Sequence, residues 1–167
     1  MSALPELRVL FRASAGARRG FGHLVRCRSL ARALGVRPLV SVRGPASAAH
    51  VALRLGCDVV NGTARSLISS LNPDVVIVDD PIASHAARWI AAARAANVPV
   101  VTVHDLGLGC PEGDLVIDGS VTSPAPQAKR CGTAGPSFAI LDPSVAVARP
   151  RVRRGVLVSL GGGPRLA

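Results

Sequence analysis

His23 is the side chain in this sequence best equipped to move a proton. It follows Gly20, Phe21 and Gly22 and opens a helix-periodic run, with Arg18 and Arg19 just upstream. Glycine lets a backbone approach a ligand closely, and the first turn of a helix presents unpaired N–H groups to an anion. The same helix end disfavours a protonated imidazole, and a neutral ring is the form that acts as a general base. Arg18 and Arg19 would add charge beside a bound phosphate. The ordinary alternative is a glycine turn carrying a solvated histidine. The dinucleotide fingerprint is not met, because "GARRGFG" lacks the G-x-G-x-x-G spacing and no ribose-binding acid ends the second strand.

Other chemically capable groups recur at the ends of apolar runs. Asp79 and Asp80 follow "VVIV" (75–78), His104 and Asp105 follow "VPVVTV" (98–103), and Asp118 follows "LVI" (115–117). In open parallel sheets ligands bind outside the carboxyl ends of the strands, so these groups are expected along one edge with His23. Aspartate at a strand end also serves as a helix cap or turn former, the ordinary role for any single one of them. The expectation is that Asp79 or Asp80, with His104 or Asp105, shares a crevice with His23.

The elements that would position these groups alternate in period. "LRVLF" (7–11) reads as a strand, followed by the glycine loop and a helix over 23–34 that places Leu24, Cys27, Ala31 and Leu34 on one face. Gly35 stands where a C-terminal cap belongs. "PLVSV" (38–42) is a second strand, 46–55 a helix stopped by Gly56, 58–60 a short strand and 63–71 a helix ending before "NP". "VVIV" is apolar throughout, as suits a strand covered on both faces. A helix over 84–96 and the strands at 98–103 and 115–117 complete the series. Such alternation predicts an α/β fold, a doubly wound parallel sheet. Residues 1–147 form the expected domain, 148–155 ("ARPRVRRG") a linker, and 156–160 ("VLVSL") with "GGGPRLA" the opening of a second domain whose crossover helix is missing.

Composition narrows the class. The chain has 167 residues, enough for one ordinary domain, and 49% hydrophobic content without a run of the ~18 apolar residues that a membrane span needs. The amino terminus lacks the apolar core of a signal peptide, so a soluble, cytoplasmic protein is expected. Net charge is +10, and all but Lys129 of the twenty basic residues are arginine. These arginines are scattered, Tyr is absent and Phe and Trp are scarce, which argues against nucleic acid and for a small anionic partner. Cys27, Cys57, Cys110 and Cys131 have no short paired spacing, so they read as packed thiols rather than zinc ligands.

The stretch "RVLFRASAGARRGFGHLVRCRSLARAL" resembles the amino terminus of the PseG/SpsG family, nucleotide-sugar hydrolases and relatives in bacterial surface-glycan synthesis that share the two-domain GT-B architecture of MurG. Arg12-Ala13-Ser14 matches that family's R-A-D/S, and Gly20-Phe21-Gly22-His23-Leu24-Val25-Arg26 its G-x-G-H-x-x-R. "VVIVDD" (75–80), the "HD" at 104–105, "CGTAGPSFAIL" (131–141) and "VLVSLGGG" (156–163) are later echoes in the same order. Asp142-Pro143 departs from the pattern where an arginine is expected.

The resemblance implies a Rossmann-like amino-terminal half of a GT-B enzyme. His23 would activate water for attack at the anomeric carbon of a UDP-linked deoxyamino sugar, of the UDP-2,4-diacetamido-2,4,6-trideoxy-altropyranose type used in pseudaminic acid synthesis. It implies inversion at that carbon, no obligatory metal and no cofactor. Arg12, Gly20, Phe21, Gly22, Arg26, Asp79, Asp80, His104 and Asp105 would contact substrate, and Gly161 and Gly162 the nucleotide phosphates. A retained GT-B fold could equally transfer the sugar to an acceptor hydroxyl, and the chain alone could act as a non-catalytic binding module. A phosphoacceptor receiver domain, suggested by "VIVDD", lacks the acids after strand one and the lysine after a late strand that it requires.

Overall fold

The computed structural model describes residues 7–17, 20–104, 113–120 and 132–147. Its strands are β1 (Val9–Ser14), β2 (Leu39–Arg43), β3 (Asp58–Val59), β4 (Val75–Asp79), β5 (Val100–His104), β6 (Leu115–Asp118) and β7 (Gly132–Ala134). Four helices alternate with the first five strands: α1 (Gly22–Leu34), α2 (Ala46–Arg54), α3 (Ala64–Leu71) and α4 (Ala83–Ala95). A fifth, α5 (Pro143–Val147), comes after β7. The strands form one sheet in the order β3-β2-β1-β4-β5-β6-β7, with every neighbouring pair parallel. The expected doubly wound, Rossmann-like α/β fold is the one adopted.

From β1 in the middle of the sheet the chain winds outward through β2 and β3, then returns to β4 on the other side of β1 and winds outward again. β1 and β4 are therefore neighbours whose onward connections run in opposite directions, which leaves a crevice at their carboxyl ends. Strand alternation sorts the core. Val9, Phe11 and Ala13 of β1 pack with α1 and α2 through Leu24, Cys27, Ala31, Ala48 and Ala52. Leu10 faces the other way, onto Leu67 and Ile68 of α3 and Ala86, Trp89 and Ile90 of α4. Both faces are covered, and so β4 is apolar up to Asp79 and β1 is apolar through Phe11.

Helix α1 holds the site, and its position is fixed at both ends. The preceding loop closes on itself, the Gly16 N–H donating to the Gly20 carbonyl at 3.1 Å. Gly20 has φ +71°, a left-handed conformation that costs a side-chain-bearing residue free energy. At the far end Gly35 takes φ 66°, and its N–H reaches the carbonyls of Ala31 and Arg32. The predicted C-terminal cap is therefore present, and the helix begins at Gly22, one residue earlier than the pattern predicts.

Periodicity foreshadows neither β7 nor the short turns after it. Gly132, Thr133 and Ala134 form a strand through parallel pairing with Val116, Ile117 and Asp118, a tertiary effect that a three-residue segment of low apolar content does not signal. A 3-10 turn at Pro136–Phe138 and helix α5 then bring Asp142 against Arg32 of α1, at 2.9 Å. The proposed linker and second-domain strand at 148–160 lie outside the described residues. Among the described residues, no helix is long and apolar enough to cross a membrane.

Candidate active site

The carboxyl ends of β1, β2 and β4 carry two charged clusters, one on each face of the sheet. The first is built on α1. Its N-cap position, Phe21, supplies no side-chain hydrogen bond to the helix, and Gly22 is exposed with open space where a Cβ would project. Among the described residues the amino end of α1 is thus uncrowded, as an anion-binding terminus needs.

His23 and Arg26 lie one turn apart on α1 and converge on the last residue of β4, Asp79. His23 Nδ1 stands 2.7 Å from Asp79 Oδ1. Arg26 holds the same carboxylate in a fork, Nε to Oδ2 at 2.9 Å and Nη2 to Oδ1 at 2.8 Å. Arg26 Nη2 also lies 2.8 Å from His23 Nδ1, so the tautomer must be argued. Were Nδ1 unprotonated, its lone pair would face a carboxylate oxygen at 2.7 Å, which is repulsive. A protonated Nδ1 donates to Oδ1 instead, beside the Arg26 donor on the same oxygen. We therefore assign the proton to Nδ1, leaving Nε2 with the lone pair. Asp79 is 2% exposed and His23 13%, so the pair is largely shielded from water.

Such a site can take a proton on Nε2 while a buried carboxylate fixes the ring and steadies the positive charge that develops. Among the described residues no three His, Cys, Asp or Glu side chains are grouped to hold a metal ion. His104 borders the site through a cavity of about 130 Å³ that both it and Arg26 line, with Val103, Ile117, Gly119 and Ser120. In register, His104 sits opposite Asp118, which accepts from the Ser120 N–H at 3.0 Å.

The second cluster lies on the α3–α4 face. Asp80 is fully buried and is gripped by Arg43, Nε to Oδ2 at 2.8 Å and Nη2 to Oδ1 at 2.6 Å. Arg43 Nη2 also donates to Ser14 Oγ at 2.9 Å. Arg12 donates from Nη1 to Ser41 Oγ at 3.1 Å, and its guanidinium lies 5.2 Å from the centre of the Trp89 ring. Burial works against the Asp80 carboxylate, yet hydrogen bonds from Arg43 and the Ile82 N–H, with the charges of Arg43 and Arg12, prevail and hold its pKa below the ordinary range.

The expected gathering at one edge therefore divides. Asp79 meets His23 and Arg26, while Asp80 and Arg12 meet on the opposite face, because consecutive strand residues point to opposite sides. Gly20 and Gly22 flank the amino end of α1, and Phe21 packs partly buried against the α1–α2 core. Arg18, Arg19, Asp105, Gly161 and Gly162 lie outside the described residues.

Arg43 is the residue that sequence reasoning missed. The second strand extends one residue past the predicted end, and its even-numbered and odd-numbered positions differ in kind. Ser41 and Arg43 alternate with Val40 and Val42 in a strand buried on both faces, which is a signal for a polar partner on that face. No family model, curated protein or solved structure matches the chain.

Proposed function

We propose that the chain is the sugar-binding part of a nucleotide-sugar hydrolase in which His23 is the general base. The observation that carries this reading is the His23 Nδ1–Asp79 Oδ1 contact of 2.7 Å at the carboxyl edge of a Rossmann-like sheet. It supplies a base with a defined tautomer where α/β sheets bind ligands. The open amino end of α1 and the neighbouring Arg26 supply an environment for the anionic leaving group.

In this mechanism Nε2 removes a proton from water as the water oxygen forms a bond to the anomeric carbon. The bond between that carbon and the diphosphate oxygen breaks, and its electron pair leaves with UDP. Attack from the side opposite the leaving group inverts the configuration. Asp79 keeps Nδ1 protonated and stabilises the imidazolium as it forms. The nucleotide itself falls chiefly to the segment that begins near residue 156, with Gly161 and Gly162 at its phosphates. The sugar is a deoxyamino sugar of the 2,4-diacetamido-2,4,6-trideoxy type, as the PseG/SpsG resemblance suggests.

The test is turnover of a UDP-linked sugar of that type by the protein that carries this chain, with free sugar and UDP followed together. Equal release of both is the expected result. His23→Ala is expected to lower turnover by on the order of 10²–10⁴-fold, the worth of a general base, with substrate affinity changed far less. Undiminished turnover in that variant removes His23 as the base. Release of UDP without free sugar, in the presence of an acceptor, turns the reading to glycosyl transfer.

A further inference from the structure

We propose that the Arg12–Arg43 cluster on the α3–α4 face binds one oxyanion of a small ligand, a phosphoryl or carboxylate group, at a site separate from His23. Two guanidinium groups meet one carboxylate there. Asp80 is taken bidentately by Arg43, whereas Arg12 makes a looser ion pair with it, Nε 3.5 Å from Asp80 Oδ2, so two cations share one carboxylate. The remaining partners, Ser14 and Ser41, are hydroxyls and carry no charge. Among the described residues the cluster therefore holds one surplus positive charge.

That charge is mostly out of water. Arg12 is 11% exposed and Arg43 16%, with Trp89 walling the Arg12 side. Burial lowers the Arg12 pKa, Asp80 opposes the lowering, and the charge of Arg43 adds to it. A cation held in such surroundings without full compensation is costly, and a bound anion relieves the cost. Donors remain for it. Among the described residues Nη2 of Arg12 and Nη1 of Arg43 make no hydrogen bond, and neither is among the sealed, unsatisfied atoms of the molecule. Guanidinium groups match oxyanions in shape and charge. The position is also apt, since Ser14, Arg43 and Asp80 stand at the carboxyl ends of β1, β2 and β4, beside the crevice where the winding reverses.

This site does not depend on the hydrolase reading, because an oxyanion-binding cluster serves a binding module equally well. Calorimetric titration of the chain with inorganic phosphate, UDP and glucuronate, at fixed ionic strength set with chloride, tests it. At least one is expected to bind with a dissociation constant of about 1 mM or tighter. Comparing the phosphate-bearing ligands with glucuronate identifies the source of the oxyanion. Arg12→Gln removes the surplus charge and leaves the Arg43–Asp80 pair intact, so binding is expected to weaken by about tenfold or more. Ser14→Asp places a carboxylate where Arg43 already donates. It is expected to abolish binding, and the thermal transition recorded beside wild type and Arg12→Gln separates lost binding from lost folding. His23→Ala is expected to bind like wild type, so a failed hydrolase assay leaves this result standing. Absence of binding by all three ligands, or equal binding by wild type, Arg12→Gln and Ser14→Asp, overturns the proposal.

Discussion

Asp79 acts on His23 through the ring's far nitrogen, and Asp79→Asn is the substitution that isolates this role. An amide can offer its N–H to Nδ1 and so favour the wrong tautomer while keeping the shape. If the proposed chemistry holds, turnover is expected to fall by up to about 10⁴-fold, the cost known where an aspartate that orients a histidine becomes an amide. The pH profile of kcat, measured beside wild type, distinguishes this from a folding defect. Asp80 has a different signature. Its folded-state pKa is depressed, so its contribution to stability is present above the ordinary carboxylate value of about 3.9 and is lost as pH falls through the lower folded value. Urea unfolding from neutral pH into that acid range is expected to show a shallower loss in Asp80→Asn than in wild type. Cys27 is pushed well above its ordinary pKa, by burial first and by the charge of Asp79 second. Alkylation at Cys27, read by peptide mapping, is therefore expected only once the protein unfolds.

What the sequence disclosed at this scale comes from local pattern. His23 was legible because glycines, a helix start and a histidine coincide within a few residues. Asp79 was legible only as one member of a pair, since nothing in "VVIVDD" says which carboxylate faces which helix. The burial of both faces of β4 conceals the alternation that would have told them apart. Arg43 was hidden by a boundary one residue short, and the Arg12–Ser41 contact joins residues 29 positions apart.

The elements themselves were nearly all written in the sequence. Continuous apolar runs mark β1 and β4, Gly35 ends α1, and Thr63 caps α3 by accepting from the Ser66 N–H. β7 escaped because its pairing, not its composition, makes it a strand. One junction between elements lends itself to a direct test. A Cβ at Gly44, just after β2, would collide with the carbonyl oxygen of Ala15, just after β1, and crowd Ala48 of α2 at 3.0 Å. Both obstacles are backbone or short side chain and cannot swing aside. Gly44→Ala is expected to destabilise the fold by ~1–3 kcal/mol, read as a lower urea midpoint with an unchanged slope.

For the whole molecule, the winding order predicts how stability is distributed. β1 and β4 are paired on both sides and covered on both faces, whereas among the described residues β3 and β7 close the two margins with two and three residues. Native-state hydrogen exchange is expected to find the amides of Leu10–Ala13 and Val76–Val78 the slowest, near the limit of global unfolding. Those of Asp58–Val59 and Gly132–Ala134 should exchange far sooner.

The two adjoining carboxylates of β4 also bear on how the chain finds this arrangement. Asp79 belongs to arginine and histidine on one side of the sheet, and Asp80 to arginines on the other. A slip of β4 by a single residue during assembly would turn both carboxylates to the wrong side at once. It would strand charge in two separate interiors rather than one, and it would turn the valines and isoleucine as well. For the apolar run alone such a slip exchanges one aliphatic residue for another and carries a weak penalty. The paired charges thus act as a registration mark that penalises mis-threading of the central strand on both faces of the sheet at once.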